Sequence, residues 1–174
     1  MSTGRKGAEM KFDIDGIIVD NIDQHSDERG FLIETFRIDD EFFNSIYRLK
    51  DGTYVGCPMS YISATMPNQI RGPHEHKKQT DVFCFIGSSK FEVRLWDNRP
   101  NSNTYKKEMK IIAENSAPLI VVVPPGIVHG YKNIGLDLGY VINMPDKLYA
   151  GWDKKEKVDE IRWEKDENSP FKME

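Results

Sequence analysis

Glycine and proline interrupt the apolar runs of this chain at short intervals, which favours many short strands over long helices. The apolar run at 82–86 stops at Gly87, and the continuous apolar run at 119–123 is closed by a Pro-Pro-Gly turn. Residues 91–96 alternate between the two faces with period two, and we expect them to pair with 82–86 as a hairpin. Many short strands at this spacing predict a closed β-barrel or a β-sandwich.

One short helix and one charged tail complete this all-β pattern. Apolar side chains recur at helical spacing in 41–48, and Asp39 or Asp40 stands where an N-cap is expected. From about residue 153 the chain is dense in charged residues, which favours a solvated arm or a second short helix. A chain of 174 residues with 39% hydrophobic content fits one domain with its own core, and no linker divides residues 1–174.

Charge, cysteine content and hydropathy exclude several classes of protein. The 24 Lys and Arg residues against 28 Asp and Glu give a net charge of −4, so no extended basic surface for nucleic acid is expected. No apolar stretch approaches the roughly 20 residues that cross a bilayer, and the polar stretch 1–10 lacks the apolar core of a signal peptide. Cys57 and Cys84 form no CxxC pair. These features predict a cytoplasmic protein that binds neither nucleic acid nor membrane.

Three of the four histidines fall in two segments that are framed by glycine and proline. The first segment, 71–81 (RGPHEHKKQTD), contains His74 and His76, which point to the same side if they lie on a strand. The second segment, 124–133 (PPGIVHGYKN), contains His129. A single histidine in a strand is usually packed or solvated, and we assign that role to the fourth. We expect the other three to converge inside the barrel on one small ligand.

The two histidine segments resemble the paired motifs of the cupin superfamily. His-x-His followed by Asp81 and Gly87 is similar to the first motif, and the Pro-x-Gly-x-x-His-x-x-x-Asn spacing of 124–133 is similar to the second. This resemblance implies a jelly-roll fold, a double-stranded β-barrel with one or two short helices.

Over most of its length the chain also resembles the dTDP-4-dehydrorhamnose 3,5-epimerase family. The similar stretches are 27–36 (DERGFLIETF), 71–74 (RGPH), 97–104 (DNRPNSNT) and 125–131 (PGIVHGY). The resemblance implies a homodimer that exchanges an N-terminal strand between subunits and binds a dTDP-sugar. It places Arg29 and Glu34 near the nucleotide and Arg71 near the pyrophosphate. It also implies a role in surface polysaccharide or glycoside synthesis.

The reaction of this family needs groups that the sequence can supply. The carbonyl of a 4-keto-6-deoxyhexose acidifies the protons at C3 and C5, because the carbanion that forms is an enolate. Epimerisation then requires a base, a proton donor on the opposite face and stabilisation of the oxyanion. By resemblance His74 is the base, a role that suits an imidazole. His76 and His129 assist it, Tyr131 lines the pocket, and no cofactor is implied.

Some positions depart from the family pattern. The tyrosine that donates a proton falls near Asn143, which becomes a substrate-binding candidate, while Tyr140 is the reserve donor if its strand carries a bulge. The lysine that stabilises the enolate aligns near Asp81, and the glutamine after His-x is His76. The carboxylate that orients the base is expected beyond Glu174.

These departures leave three alternatives open. The segment 71–77 is similar to one in the dTDP-4-dehydro-6-deoxyglucose 3,4-ketoisomerases, in which two histidines move a proton between neighbouring carbons. A metal-binding cupin is the second alternative, because three imidazoles with a carboxylate or carboxamide suit Fe, Mn, Ni or Zn. Its ligands would be His74, His76 and His129 with Asp81 or Gln79. The third is a non-catalytic barrel that binds a sugar nucleotide. We place metal-free chemistry first, because the epimerase-like barrels need no metal.

Overall fold

The computed structural model describes residues 13–48, 52–53, 55–114 and 116–173. In chain order the elements are β1 (Ile18–Asn21), β2 (Gln24–Asp27), β3 (Gly30–Ile33), α1 (Glu41–Ile46), β4 (Tyr61–Thr65), β5 (Ile70–Glu75), β6 (Asp81–Ile86), β7 (Phe91–Asp97), β8 (Glu108–Ala113), β9 (Leu119–Val123), β10 (Ile127–Asn133), β11 (Gly139–Asn143) and β12 (Ile161–Arg162). Two 3₁₀ turns, Trp152–Lys154 and Trp163–Lys165, flank β12.

Ten of these strands form two five-stranded sheets. The first sheet has the order β1-β9-β6-β11-β4, and the second has the order β12-β5-β10-β7-β8. Strands β2 and β3 form a separate hairpin, in which Asp27 is the register partner of Gly30. All of these pairs are antiparallel. The all-β, double-sheet barrel that the sequence predicts is confirmed.

Strands β6 and β7 do not form the hairpin that the sequence predicts. Strand β6 lies in the first sheet between β9 and β11, whereas β7 lies in the second sheet between β10 and β8. The turn between them contains Gly87 and Ser88, with φ angles of 47° and 35°, and carries the chain from one sheet to the other. Both strands are buried on both faces. Their hydrophobic pattern therefore does not reveal which neighbour each strand has.

The main apolar core fills the space between the two sheets. Aromatic and branched side chains from both sheets contribute to it, and each buried one stabilises the fold by roughly 1.5–3 kcal/mol. They include Phe83, Phe85, Phe91, Val93, Leu95, Val121, Val123, Ile127 and Val141. This packing holds the two inner faces, from which the functional side chains project, at a fixed separation.

Helix α1 covers the opposite face of the first sheet. It begins after Asp40, whose carboxylate accepts the amide of Phe42 at 3.0 Å, and it ends at Ile46, short of the predicted residue 48. Phe43 is fully buried in a second apolar cluster with side chains of β6 and β9. Tyr47 follows the helix, and its hydroxyl donates to the carbonyl of Met144 at 2.7 Å. The helix therefore ties the outer layer to the chain that follows β11.

The C-terminal segment returns to the second sheet. Residues 152–157 are exposed, but β12 adds to the edge of β5, where Arg162 is the register partner of His74. Trp163 then packs edge-on against Phe171, with ring centroids 5.0 Å apart. The charged arm expected from about residue 153 therefore includes a strand beside a candidate site residue.

No helix among the described residues has the length and apolar character needed to cross a bilayer. The stretch 1–10, on which the expectation about a signal peptide rests, lies outside the described residues.

Candidate active site

The three predicted histidines converge at the inner faces of the barrel. His74 on β5 and His129 on β10 are direct register partners, and their ring centroids lie 4.4 Å apart. His76 follows the end of β5, and its ring lies 5.5 Å from that of His74 and 6.1 Å from that of His129. The His-x-His spacing places two imidazoles on one side of a strand, and strand pairing adds the third.

Asp81, the first residue of β6, lies among these rings and is almost fully buried. Its Oδ2 atom lies 3.3 Å from Nε2 of His76 and 3.3 Å from Nε2 of His129. The other ring nitrogen of His129, Nδ1, lies 3.0 Å from the carbonyl of Ile127 and donates to it, because a carbonyl can only accept. In the neutral ring, Nε2 of His129 therefore presents a lone pair towards the carboxylate.

Two amide side chains fix the other oxygen of Asp81. Nδ2 of Asn143 donates to Oδ1 at 2.8 Å, and Nε2 of Gln79 donates at 2.9 Å. Burial raises the pKa of Asp81, but a proton on Nε2 of His129, which would make that nitrogen a donor to Oδ2, and the charge of a protonated His76 outweigh it and lower the pKa to about 2. Asp81 is therefore an ionised carboxylate at neutral pH.

His74 borders a cavity between the two sheets and has a carboxylate neighbour. Its Nε2 atom lies 4.0 Å from Oε1 of Glu160, which precedes β12. Burial, followed by the charge that His129 carries when protonated, lowers the pKa of His74 to about 2. The imidazole is therefore neutral at neutral pH and offers a lone pair. Glu160 is placed to stabilise the imidazolium that forms when His74 accepts a proton.

The cavity beside these residues has a volume of about 720 Å³. Polar and aromatic side chains from both sheets and from the C-terminal segment surround it. They include Tyr61, Ser63, Arg71, His74, His76, Gln79, Phe83, Tyr131, Tyr149, Glu160 and Arg162. Tyr131 is buried, and its hydroxyl lies 2.6 Å from that of Ser63. Arg71 is held at the cavity wall by bonds to the hydroxyl of Thr65 and the carbonyl of Ala64.

Tyr61 is a cavity residue that the sequence did not single out. It lies at the start of β4, directly opposite Asn143 of β11 in the strand register. Nδ2 of Asn143 donates to its hydroxyl at 2.8 Å. Burial raises the pKa of Tyr61 to about 12, so its hydroxyl is protonated at neutral pH. Asn143 itself holds Asp81 and Tyr61 and, through Oδ1, the amide of Val82.

Three predicted site residues lie away from this cavity in the same chain. Tyr140 is 41% exposed on the outer face of β11, between the inward-facing Val141 and Gly139. Arg29 pairs with Asp27 in the turn of the β2–β3 hairpin. Glu34, which follows β3, pairs with Arg37. These three therefore do not meet the histidines within one subunit.

The buried part of the site also has the composition of a metal centre. One ligand atom from each of His74, Asp81 and His129 lies within 4.8 Å of the others. Oδ2 of Asp81 and Nε2 of His129 are buried without a hydrogen-bond partner among the described residues. Two imidazoles and a carboxylate are ligands suited to Zn, Mn, Fe or Ni. These three residues fit a small divalent cation, whereas His76 and Gln79 fall outside the compact set.

Comparison with known proteins identifies the family. The sequence matches the model of the dTDP-4-dehydrorhamnose 3,5-epimerase family over residues 11–167. The spore coat polysaccharide biosynthesis protein SpsL of Bacillus subtilis is 29% identical over 149 residues, which cover 80% of this chain and 91% of that protein. The probable low-salt glycan biosynthesis epimerase Agl13 of Haloferax volcanii is 29% identical over 138 residues, which cover 78% of this chain and 81% of that protein.

Solved structures show the same fold. A dTDP sugar isomerase from Desulfovibrio desulfuricans superposes with a TM-score of 0.76 at 18% identity, over 94% of each chain. ChmJ, a 3'-monoepimerase from Streptomyces bikiniensis solved with dTDP-quinovose, gives a TM-score of 0.66 at 19% identity, over 80% of this chain and 68% of that one. At these identities the structural likeness shows the fold alone. Since the family model spans most of the sequence, the protein belongs to the dTDP-4-dehydrorhamnose 3,5-epimerase family.

Proposed function

We propose that this protein is a sugar-nucleotide epimerase or isomerase of polysaccharide or glycan synthesis, acting on a 4-keto-6-deoxyhexose carried by a nucleoside diphosphate such as dTDP. The observation that carries the proposal is the neutral imidazole of His74, which borders a cavity of about 720 Å³ and has the carboxylate of Glu160 4.0 Å from its Nε2. The family membership and the names of the curated relatives support it.

In the proposed reaction, His74 takes a proton from the carbon next to the carbonyl. The electrons of that C–H bond move into the carbonyl to give an enolate, and Glu160 pairs with the new imidazolium. The enolate carbon then receives a proton on its opposite face, and the carbonyl re-forms. Tyr61 is our candidate donor, because its protonated hydroxyl faces the cavity. In the proposed cycle, His74 then releases its proton to solvent and Tyr61 takes one back from solvent. We assign the diphosphate to Arg71, which lies at the cavity wall and whose guanidinium can pair with phosphate oxygens.

We also propose that the protein is a homodimer whose β2–β3 hairpin completes the partner's site. Arg29 and Glu34, which the family resemblance assigns to the nucleotide, lie away from the cavity of their own subunit. The same hairpin exposes Phe31 and Leu32, at 50% and 61% of their surface. An exposed apolar hairpin on a sheet-rich domain is suited to association with a second copy.

Incubation with dTDP-4-keto-6-deoxyglucose in D2O tests the function. We expect deuterium at C3, C5 or both, and no incorporation with the His74→Gln variant. Exchange at C3 with a 3-keto product would assign the 3,4-ketoisomerase reaction, which the shared cavity position of His74 and His76 permits. Binding of dTDP without any exchange would overturn the enzymatic proposal and leave a non-catalytic sugar-nucleotide barrel.

A metal-binding cupin is the second candidate, favoured by the two buried acceptor atoms of Asp81 and His129 that face each other. A bound divalent cation would supply Lewis-acid polarisation of the substrate carbonyl. Elemental analysis of protein purified without added metal separates the candidates. Stoichiometric metal that is lost in Asp81→Asn would assign the metal centre, whereas metal-free protein with full exchange activity would exclude it.

A further inference from the structure

Asp159 contacts the site twice from the C-terminal segment. Its backbone carbonyl accepts a short hydrogen bond from Nδ1 of His76. Its carboxylate accepts three consecutive backbone amides, those of Lys77 at 3.2 Å, Lys78 at 2.7 Å and Gln79 at 3.1 Å. One residue therefore holds both the ring of His76 and the turn that follows it.

The carbonyl contact decides which nitrogen of His76 carries the proton. A carbonyl oxygen can only accept, so Nδ1 is the protonated nitrogen and Nε2 of the neutral ring has the lone pair. Nε2 of Gln79 lies 3.2 Å from that lone pair and donates to it. The second N–H of the same amide donates to Oδ1 of Asp81 at 2.9 Å. The result is a hydrogen-bond network in which Gln79 donates to both His76 and Asp81, and His76 donates to the carbonyl of Asp159.

The carboxylate contacts of Asp159 fix the position of the turn that carries Gln79. The turn between β5 and β6 carries Gln79, and Lys77 and Lys78 within it are exposed. The side chain of Asp159 holds this turn through three hydrogen bonds to a charged acceptor, which are stronger than neutral ones. The amide of Thr80 is fixed separately by Asp146, at 2.9 Å. Without Asp159, the segment that carries Gln79 is anchored only at its ends.

We propose that Asp159 is a positioning residue that fixes the tautomer of His76 and aims Gln79 at Asp81. It acts through these two side chains and, with them, lines a neighbouring cavity rather than the cavity beside His74. Its expected effect on turnover rests on the proposed function, whereas its effect on the histidine ring does not. Asp159 therefore couples the C-terminal segment, which also carries Glu160, to the buried end of the site.

The test compares Asp159→Ala and Asp159→Asn with a control, Asp153→Ala, in the same segment. Asp153 is exposed and pairs only locally with Lys155. NMR of isotope-labelled histidine ring nitrogens reports which nitrogen of His76 is protonated. We expect one Nδ1–H tautomer in the wild type and the control. Asp159→Ala keeps the backbone carbonyl but frees the turn that the carboxylate holds, so we expect the His76 ring to leave the carbonyl and show a mixture of tautomers. Asp159→Asn keeps one side-chain acceptor oxygen, and we expect its share of the Nδ1–H tautomer of His76 to lie between those of the wild type and Asp159→Ala.

Kinetics supply the second measurement. We expect kcat of Asp159→Ala to fall on the order of 10- to 100-fold with a much smaller change in KM, because misplaced catalytic groups affect the chemical step. An unchanged His76 tautomer in the folded variants would overturn the proposal. If Asp159→Ala does not fold, Asp159→Asn carries the same test. An altered tautomer in a protein that never exchanges substrate protons would uphold the positioning role and overturn the proposed function.

Discussion

Oδ2 of Asp81 lies 3.3 Å from Nε2 of His129, and neither atom has a hydrogen-bond partner among the described residues. Both side chains are at least 97% buried. Two acceptors in such contact repel each other unless a proton or a cation lies between them. A metal-free site therefore requires a proton between these two atoms, whereas a metal-dependent site would hold a cation there.

Substitution of Asp81 separates its charge from its hydrogen bonds. Asp81→Asn keeps an oxygen for Asn143 and Gln79 and provides an N–H for His129. Asp81→Ala leaves the side-chain amide donors of Asn143 and Gln79 unpaired, at about 1–3 kcal/mol for each group. We therefore expect Asp81→Ala to be less stable than Asp81→Asn by about 2–4 kcal/mol in urea unfolding at neutral pH. Equal losses in the two variants would instead show that the pocket requires the negative charge.

The pH dependence of stability tests the burial of His74. Its pKa is lowered in the folded state, so the unfolded chain, with an ordinary histidine pKa of about 6.5, takes up the proton first as pH falls. The contribution of His74 to stability is complete above pH about 6.5 and is lost below it. Between pH 7 and pH 5, we expect the wild type to lose about 2 kcal/mol more free energy of unfolding than His74→Gln. Parallel losses in urea titrations at the two pH values would contradict the burial.

The parts of this site that could be predicted from the sequence are local in the chain. The spacing of His74 and His76 indicates a shared side of one strand, and the second motif adds His129. Asp81 is visible in the sequence as a departure from the family lysine, but its contacts depend on β6 lying beside β11 rather than β7. No pattern in a strand that is buried on both faces specifies that choice of neighbour.

The parts that could not be predicted depend on which face of a strand a residue occupies and on pairing between strands that are far apart in the sequence. Tyr140 and Asn143 are three residues apart on β11, so they face opposite sides, and the regular strand gives Tyr140 the outer one. Tyr61 reaches the cavity because β4 pairs with β11, where its register partner Asn143 is 82 residues away in the chain. Asp159 and Glu160 lie beside the site because the two-residue strand that follows them, β12, pairs with β5. That strand is too short to show periodicity in the sequence.

Tyr61 and Tyr140 form a matched pair for testing the proton donor. Tyr61→Phe removes the hydroxyl that faces the cavity, and we expect kcat for epimer formation to fall by about 100-fold or more. Deuterium exchange through His74 should persist, because the base is intact. Tyr140→Phe removes a hydroxyl on the outer face and should leave both rates unchanged. Full epimerase activity in Tyr61→Phe would show that another cavity residue is the proton donor.

Subunit mixing tests whether the hairpin acts across a dimer. A chain with His74→Gln keeps an intact hairpin, and a chain with Arg29→Ala keeps an intact histidine site. If the hairpin completes the partner's cavity, a mixed dimer contains one site with both His74 and Arg29. We therefore expect co-expression of the two chains to restore turnover at low substrate concentration well above that of either homodimer.

The control for this experiment is a single chain that carries both changes, which should stay inactive alone. A mixed dimer with no more activity than the two homodimers would show that Arg29 serves its own subunit or no site at all. The salt bridge from Arg29 to Asp27 is compatible with exchange, because the Arg29 side chain is 85% exposed and this pair is local to the hairpin turn. A fully exposed pair of this kind is weak, so a bound phosphate can replace the carboxylate at little cost.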